Sequence, residues 1–149
     1  MIIGQREKRI RYVDCFAGPW QEGSDDLRDT SISISLKIMK ECHEGLLQRS
    51  KDVHFRALYI EKNRKAYNKL KTFHQMESTD EVKANSVHGE FFPLRDNIVQ
   101  WCGKDDFTFF FIDPSGWKHV VEPLTLRSLL QRQRSEFLIN FMFEFVRRA

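Results

Sequence analysis

The run DFTFFFID, residues 106–113, constrains the fold more than any other stretch. It is almost wholly apolar between two acids, and too short for a helix of ordinary length. Such a run fits a strand covered on both faces, and strands of that kind belong to parallel sheets. Parallel neighbours cannot be joined by a hairpin; each needs a crossover, normally a helix. The rest of the chain supplies both kinds of element. RIRYVDCF (9–16), HFRALYIE (54–61), VKANSV (82–87) and EFLINFMFEF (136–145) read as further strands. Stretches of helical period separate them: SISISLKIMKECHEGLL (31–47), NRKAYNKLKTFHQM (63–76), FFPLRDNIVQWC (91–102) and VVEPLTLRSLLQRQ (120–133). Ala66, Leu70 and Phe73 fall at helical spacing behind Asn63, the expected cap. Pro93 is tolerable because it sits in a first turn, and the fourth helix is expected to start at or just before Pro123. The fold class is therefore α/β: one Rossmann-like, doubly wound parallel sheet forming a single domain over residues 1–149.

The fifth strand is followed only by VRRA, so no helix succeeds it. The expectation is a fragment or natural short form of a larger α/β domain, incomplete at its C-terminal edge. An exposed edge strand of that kind also invites self-association. No apolar run approaches the roughly 18 residues of a membrane span, and the start MIIGQREKRI lacks a signal peptide's apolar stretch. Cys15, Cys42 and Cys102 are scattered, as suits reduced thiols in a cytoplasm, and the His residues never pair at zinc-ligand spacing. The net charge of +3 decides little by itself. Basic residues gather in REKRIR, in RSLLQRQR and in the final RR, where they read as solvated flanks of strands and helices ahead of a nucleic-acid patch.

In open α/β sheets ligands bind beyond the carboxyl ends of the strands. Those ends carry Asp14, Glu61, His88-Gly89-Glu90, Asp113 and, in the fifth strand, Asn140. One such acid is ordinarily a helix cap; four on one rim are harder to assign to capping. Asp14 repels phosphate, and the turn after it, Phe16-Ala17-Gly18-Pro19, matches neither GxGxxG nor GxxxxGK[ST]. An NAD-dependent oxidoreductase is thus a distant reading. A ligand with positive charge and hydroxyl groups suits the rim better, and S-adenosyl-L-methionine (SAM) has ammonium, sulfonium, ribose and adenine in one molecule.

YVDCFAG resembles the SAM-binding first motif of class I methyltransferases in its D-x-F-A-G form. With YIEKN, HGEFF, FFFIDPSGWK and FLINFM in order, the chain from Arg11 onward looks like the three-Cys-motif partner (TcmP) family of methyltransferase-like proteins. The resemblance implies a class I methyltransferase fold, SAM as cofactor and a three-Cys-motif protein as a partner. It implies that Asp14 and the Ala17-Gly18 backbone, in the turn closed by Pro19, hold the methionine end, with Phe16 walling the pocket. Glu61 would accept from the ribose hydroxyls, Lys62 would lend its aliphatic stem, and Gly89, Glu90 and Phe91 would meet the adenine. The chain departs from the family in carrying Trp20 after Pro19, and Glu90 where an Asp is usual.

Asp113-Pro114-Ser115-Gly116-Trp117 stands where amino-methyltransferases carry an Asp-Pro motif followed by an aromatic residue. An exocyclic amine needs orientation more than a strong base. Asp113 and the Pro114 carbonyl would accept its hydrogens, and Trp117 would stack on an extruded base of RNA or DNA. His119 is a nearby alternative base. A Pro-Gly turn with a packed Trp competes evenly with this catalytic reading. A C5-cytosine mechanism needs a nucleophilic cysteine here, and none is present. The expected function is transfer of a methyl group from SAM to an exocyclic amine of a nucleic-acid base. The alternative is a catalytically inactive SAM-binding or partner-binding module.

Overall fold

A computed structural model describes residues 3–18, 30–114 and 123–140. After a 3-10 turn at Ile3–Gln5 come β1 (Arg9–Asp14), α1 (Ser31–Leu47), β2 (His54–Glu61) and α2 (Arg64–Glu77). Then follow β3 (Val82–His88), α3 (Phe91–Cys102), β4 (Phe107–Ile112), α4 (Pro123–Leu130) and β5 (Ser135–Ile139). All strand pairs are parallel, in the order β3-β2-β1-β4-β5. That is the Rossmann-like order, with the chain reversing direction across the sheet between β1 and β4.

Alternation along the strands divides the core in two. Ile10 of β1, Phe55, Ala57 and Tyr59 of β2, and Val82 and Ala84 of β3 meet Ile32, Leu36 and Met39 of α1 and Leu70 of α2. Val13, Leu58, Ile60, Phe110 and Ile112 point the other way, onto Ile98 and Cys102 of α3 and Leu126 and Leu129 of α4. The helices therefore cover opposite faces, as a doubly wound sheet requires. Phe110 is fully buried and stacks on Phe137 with centroids 5.0 Å apart. Among the described residues no helix is long and apolar enough to cross a membrane.

The element bounds differ from expectation in instructive places. β1 stops at Asp14 rather than running to Phe16, because the Asp14 carboxylate accepts the Phe16 N–H and starts a turn. The fourth helix ends at Leu130, short of Gln133. There the Arg132 guanidinium donates to the carbonyls of Cys102, Gly103 and Asp106, and Arg134 takes a left-handed φ of 59°. Fifth-strand residues beyond Asn140, and the expected helix residues 120–122, lie outside the described residues. Within β5, Phe137 and Ile139 pack on the core while Leu138 is exposed.

Four of the clustered arginines, Arg9, Arg11, Arg132 and Arg134, have structural partners, while the final RR lies outside the described residues. Arg9 and Arg11 donate to the two oxygens of Asp106 at 2.6 and 2.7 Å. Arg11 also lies 4.8 Å over the Trp101 ring, and Arg134 pairs with Glu7. Asp106 is 5% exposed. Burial alone would raise its pKa, but the hydrogen bonds and charges of Arg11 and Arg9 overcome that and hold it below the usual carboxylate range.

Candidate functional site

Strand alternation puts Asp14, Glu61 and Asp113 on one face; Glu90, at the N-cap of α3, is not placed there by it. Asp14 follows Tyr12 and Ile10, and Glu61 follows Tyr59 and Ala57, all on the α1/α2 side. Asp113 lies two positions beyond Phe111, which is in register with Asp14. Asp14 and Asp113 thus flank the place where the sheet changes direction, and Glu61 stands on the far side of β1.

Asp14 is completely buried. Its Oδ1 accepts the Phe16 N–H at 3.1 Å and its Oδ2 accepts the Ser31 hydroxyl at 3.2 Å. Burial pushes its pKa up to about 6 despite those two hydrogen bonds, and the charges of Asp113 and Glu61 push the same way. Among the described residues no Lys or Arg comes within ion-pair distance of Asp14, Glu61, Glu90 or Asp113. Buried carboxylates are ordinarily paired; buried Asp14 instead has Glu61 and Asp113 for charged neighbours.

Glu61 is 4% exposed, and its Oε1 accepts the Asn63 N–H. The turn after β1 lies directly on this carboxylate. Ala17 N–H donates to the Ile60 carbonyl at 2.9 Å. A Cβ on Gly18 would sit 2.0 Å from Glu61 Oε2, so only glycine lets the turn backbone approach so closely. Gly89 N–H donates to the Glu61 carbonyl at 3.0 Å, carrying the third strand's end to the same place. Gly89 has φ +154°, and a Cβ there would meet Leu94 Cδ1 at 2.9 Å.

Glu90 occupies the N-cap position of α3 without making a side-chain cap hydrogen bond, and it is exposed. By contrast Thr30 caps α1 and Asn63 caps α2 through their side chains. Capping therefore does not account for Glu90. Phe91 is 3% exposed and packs in the core against Phe16, centroids 5.3 Å apart. The ring left partly open to the rim is Phe16, while Lys62 is exposed.

Asp113 is half-buried and Pro114 buried. Asp113 Oδ1 accepts from Asn140 Nδ2 at 2.9 Å, and Asn140 N–H donates to the Ile112 carbonyl, extending the ladder one step past β5. Asn140 and Ser31, which hold Asp113 and Asp14, carried no role in the sequence reading. Asn140 was visible at a strand end, whereas Ser31 lies seventeen residues from its partner with no local signal. Pro19, Trp20, Trp117 and His119 lie outside the described residues.

Cys15 and Cys102 face the opposite core, and burial raises both thiol pKa values, which removes them as thiolate nucleophiles. Among the described residues no three His, Cys, Asp or Glu side chains converge to hold a metal ion. A separate polar concavity of about 570 Å³, lined by His74, Ser78, Lys83 and Asn85, lies at the far end of α2 and shares no residue with the rim.

The rim thus combines enclosed negative charge, a glycine turn in contact with an acid, an Asp113 with one oxygen engaged, and an exposed Glu90 that makes no capping hydrogen bond. It suits a ligand with cationic and hydroxyl groups and repels phosphate. No protein-family model matches the chain, and no curated protein or solved structure matches it.

Proposed function

We propose that the chain is a SAM-dependent methyltransferase-like protein of the three-Cys-motif partner type, acting on an exocyclic amine of a nucleic-acid base. The observation that carries this reading is the group of Asp14, Glu61 and Asp113, which among the described residues has no Lys or Arg within ion-pair distance, around a turn whose Gly18 touches Glu61. When bound, SAM supplies a methyl group made electrophilic by its sulfonium.

The chain's residues have distinct tasks in this reading. Asp14 has no exposed surface, so it acts as a buried negative charge beneath the turn and favours a cation above it. Glu61 accepts from ribose hydroxyls, with Asn63 N–H fixing its Oε1. Glu90 accepts from the adenine amino group, and Phe16, Lys62 and the backbone of Ala17 to Pro19 wall the cofactor. Asp113, oriented by Asn140, and the Pro114 carbonyl accept the hydrogens of the substrate amine and direct its lone pair. Trp117 stacks on the base.

Isothermal titration with S-adenosylhomocysteine, followed by methyl transfer from labelled SAM to RNA and DNA, tests this reading. Saturable one-site binding with transfer abolished in Asp113→Ala supports it; an absence of binding defeats it. One observation favours a module that binds SAM and performs no chemistry: Asp113 already has one oxygen engaged by Asn140. Binding without transfer by either protein would select that alternative.

A further inference from the structure

In the REKRIR and RSLLQRQR clusters Arg9, Arg11, Arg132 and Arg134 are engaged by the protein itself at the amino ends of the strands, opposite the rim. Another basic surface lies on α2. From Lys62 to Met76 the chain contains no acid. Lys62, Arg64, Lys65 and Lys71 are all exposed, and among the described residues none has a carboxylate within ion-pair distance. Two of these cations stand in the first turn of the helix, where its own dipole disfavours them. No carboxylate among the described residues answers these charges, and an external anion would.

The rim end of this surface also carries aromatic groups. His88 is in register with Glu61, its ring lies 5.3 Å from that of Tyr67, and Arg64 Nη1 approaches its Nδ1 at 3.3 Å. The outer face continues with Asn68, Thr72 and Gln75, while Leu70 and Phe73 are turned into the core. A membrane-surface helix presents its apolar side to lipid; the apolar side of α2 is already covered by the sheet. Cations beside a neighbouring pair of rings, tilted 53° to each other, suit phosphates and unpaired bases instead.

We propose that the outer face of α2, with Tyr67 and His88 at its rim end, binds the backbone of a single-stranded nucleic acid and leads it toward the acid rim. The direction of approach rests on the function proposed above; the binding surface does not. Cations along the helix neutralise phosphates, and the Tyr67–His88 pair stacks a base next to Glu61.

The test is fluorescence anisotropy of the full chain with a labelled single-stranded RNA of about 15 nucleotides. Two triple variants remove equal charge from exposed positions: Arg64→Gln/Lys65→Gln/Lys71→Gln on α2, and Lys8→Gln/Lys51→Gln/Lys104→Gln at the amino ends of the strands. The α2 variant should bind at least about tenfold more weakly, with a salt slope flatter by about 2, at roughly 0.7 per phosphate contact. The amino-end variant should stay within about twofold of wild type, and Tyr67→Ala should weaken binding severalfold without changing the slope. Equal losses in both triple variants, no RNA binding by wild type, or binding confined to phosphatidylserine vesicles would overturn the proposal. S-adenosylhomocysteine titration of the same proteins keeps the two readings apart: its failure defeats the cofactor while leaving the RNA result standing.

Discussion

Two buried aspartates at opposite ends of the sheet have opposite surroundings. Asp106, at the amino end, is clamped by Arg9 and Arg11, and its pKa is held low. Asp14, at the carboxyl end, has one backbone N–H and one hydroxyl, faces other acids, and is pushed up to about 6. The first charge is answered within the protein. Among the described residues no cation answers the second, which is retained at a cost that the proposed ligand would offset. One end of the sheet answers its buried charge with arginines, and the other is the end where we propose that a ligand binds.

Asp106→Ala carries the largest expected effect. It strands Arg11, 22% exposed at its side chain, and Arg9, which at 63% is screened by water and counts for little. The expected loss is about 2–3 kcal/mol by urea denaturation, mostly through Arg11, with S-adenosylhomocysteine affinity unchanged. Asp14→Asn should act in the opposite direction. An acid whose folded pKa is raised disfavours its ionised form, so wild-type stability falls as pH rises from about 4 through about 6. Removing that charge should stabilise the fold by about 2 kcal/mol near neutrality and by almost nothing near pH 4. If both substitutions destabilise alike, the contrast between the two ends collapses.

Gly18→Ala probes the contact between turn and acid, where a Cβ would lie 2.0 Å from Glu61 Oε2. Cofactor affinity should fall by about tenfold, roughly 1.4 kcal/mol, and shortening the acid with Glu61→Asp should restore part of the lost stability. Asn140→Ala has the smallest expected effect on folding, within about 0.5 kcal/mol, because the residue is exposed. Its mark should appear on Asp113, whose carboxyl carbon resonance should shift while that of Asp106 does not.

Most of the fold was legible because its signals are local. The bounds of α1, β2 and α3 follow directly from apolar period and turn residues, and Asn63 caps α2 as its position suggests. The acid rim was legible too, since a parallel sheet places every strand end on one side. What escaped was decided by contacts distant in sequence. The early end of α4 depends on Arg132 reaching carbonyls near residue 103, and the spending of basic clusters on Asp106 joins residues more than ninety positions apart. That Lys62, Arg64, Lys65 and Lys71 have no carboxylate within ion-pair distance among the described residues likewise depends on neighbours that no run of letters displays.

The most direct measurement is isothermal titration of S-adenosylhomocysteine into the intact chain at about pH 7.5 and about pH 5, alongside Asp14→Asn. With Asp14 titrating near 6, wild-type affinity should weaken by about tenfold at the lower pH, and the variant should be weak and nearly insensitive to pH. Absence of binding at either pH, or an affinity that does not change while Asp14 takes up its proton, would contradict the account.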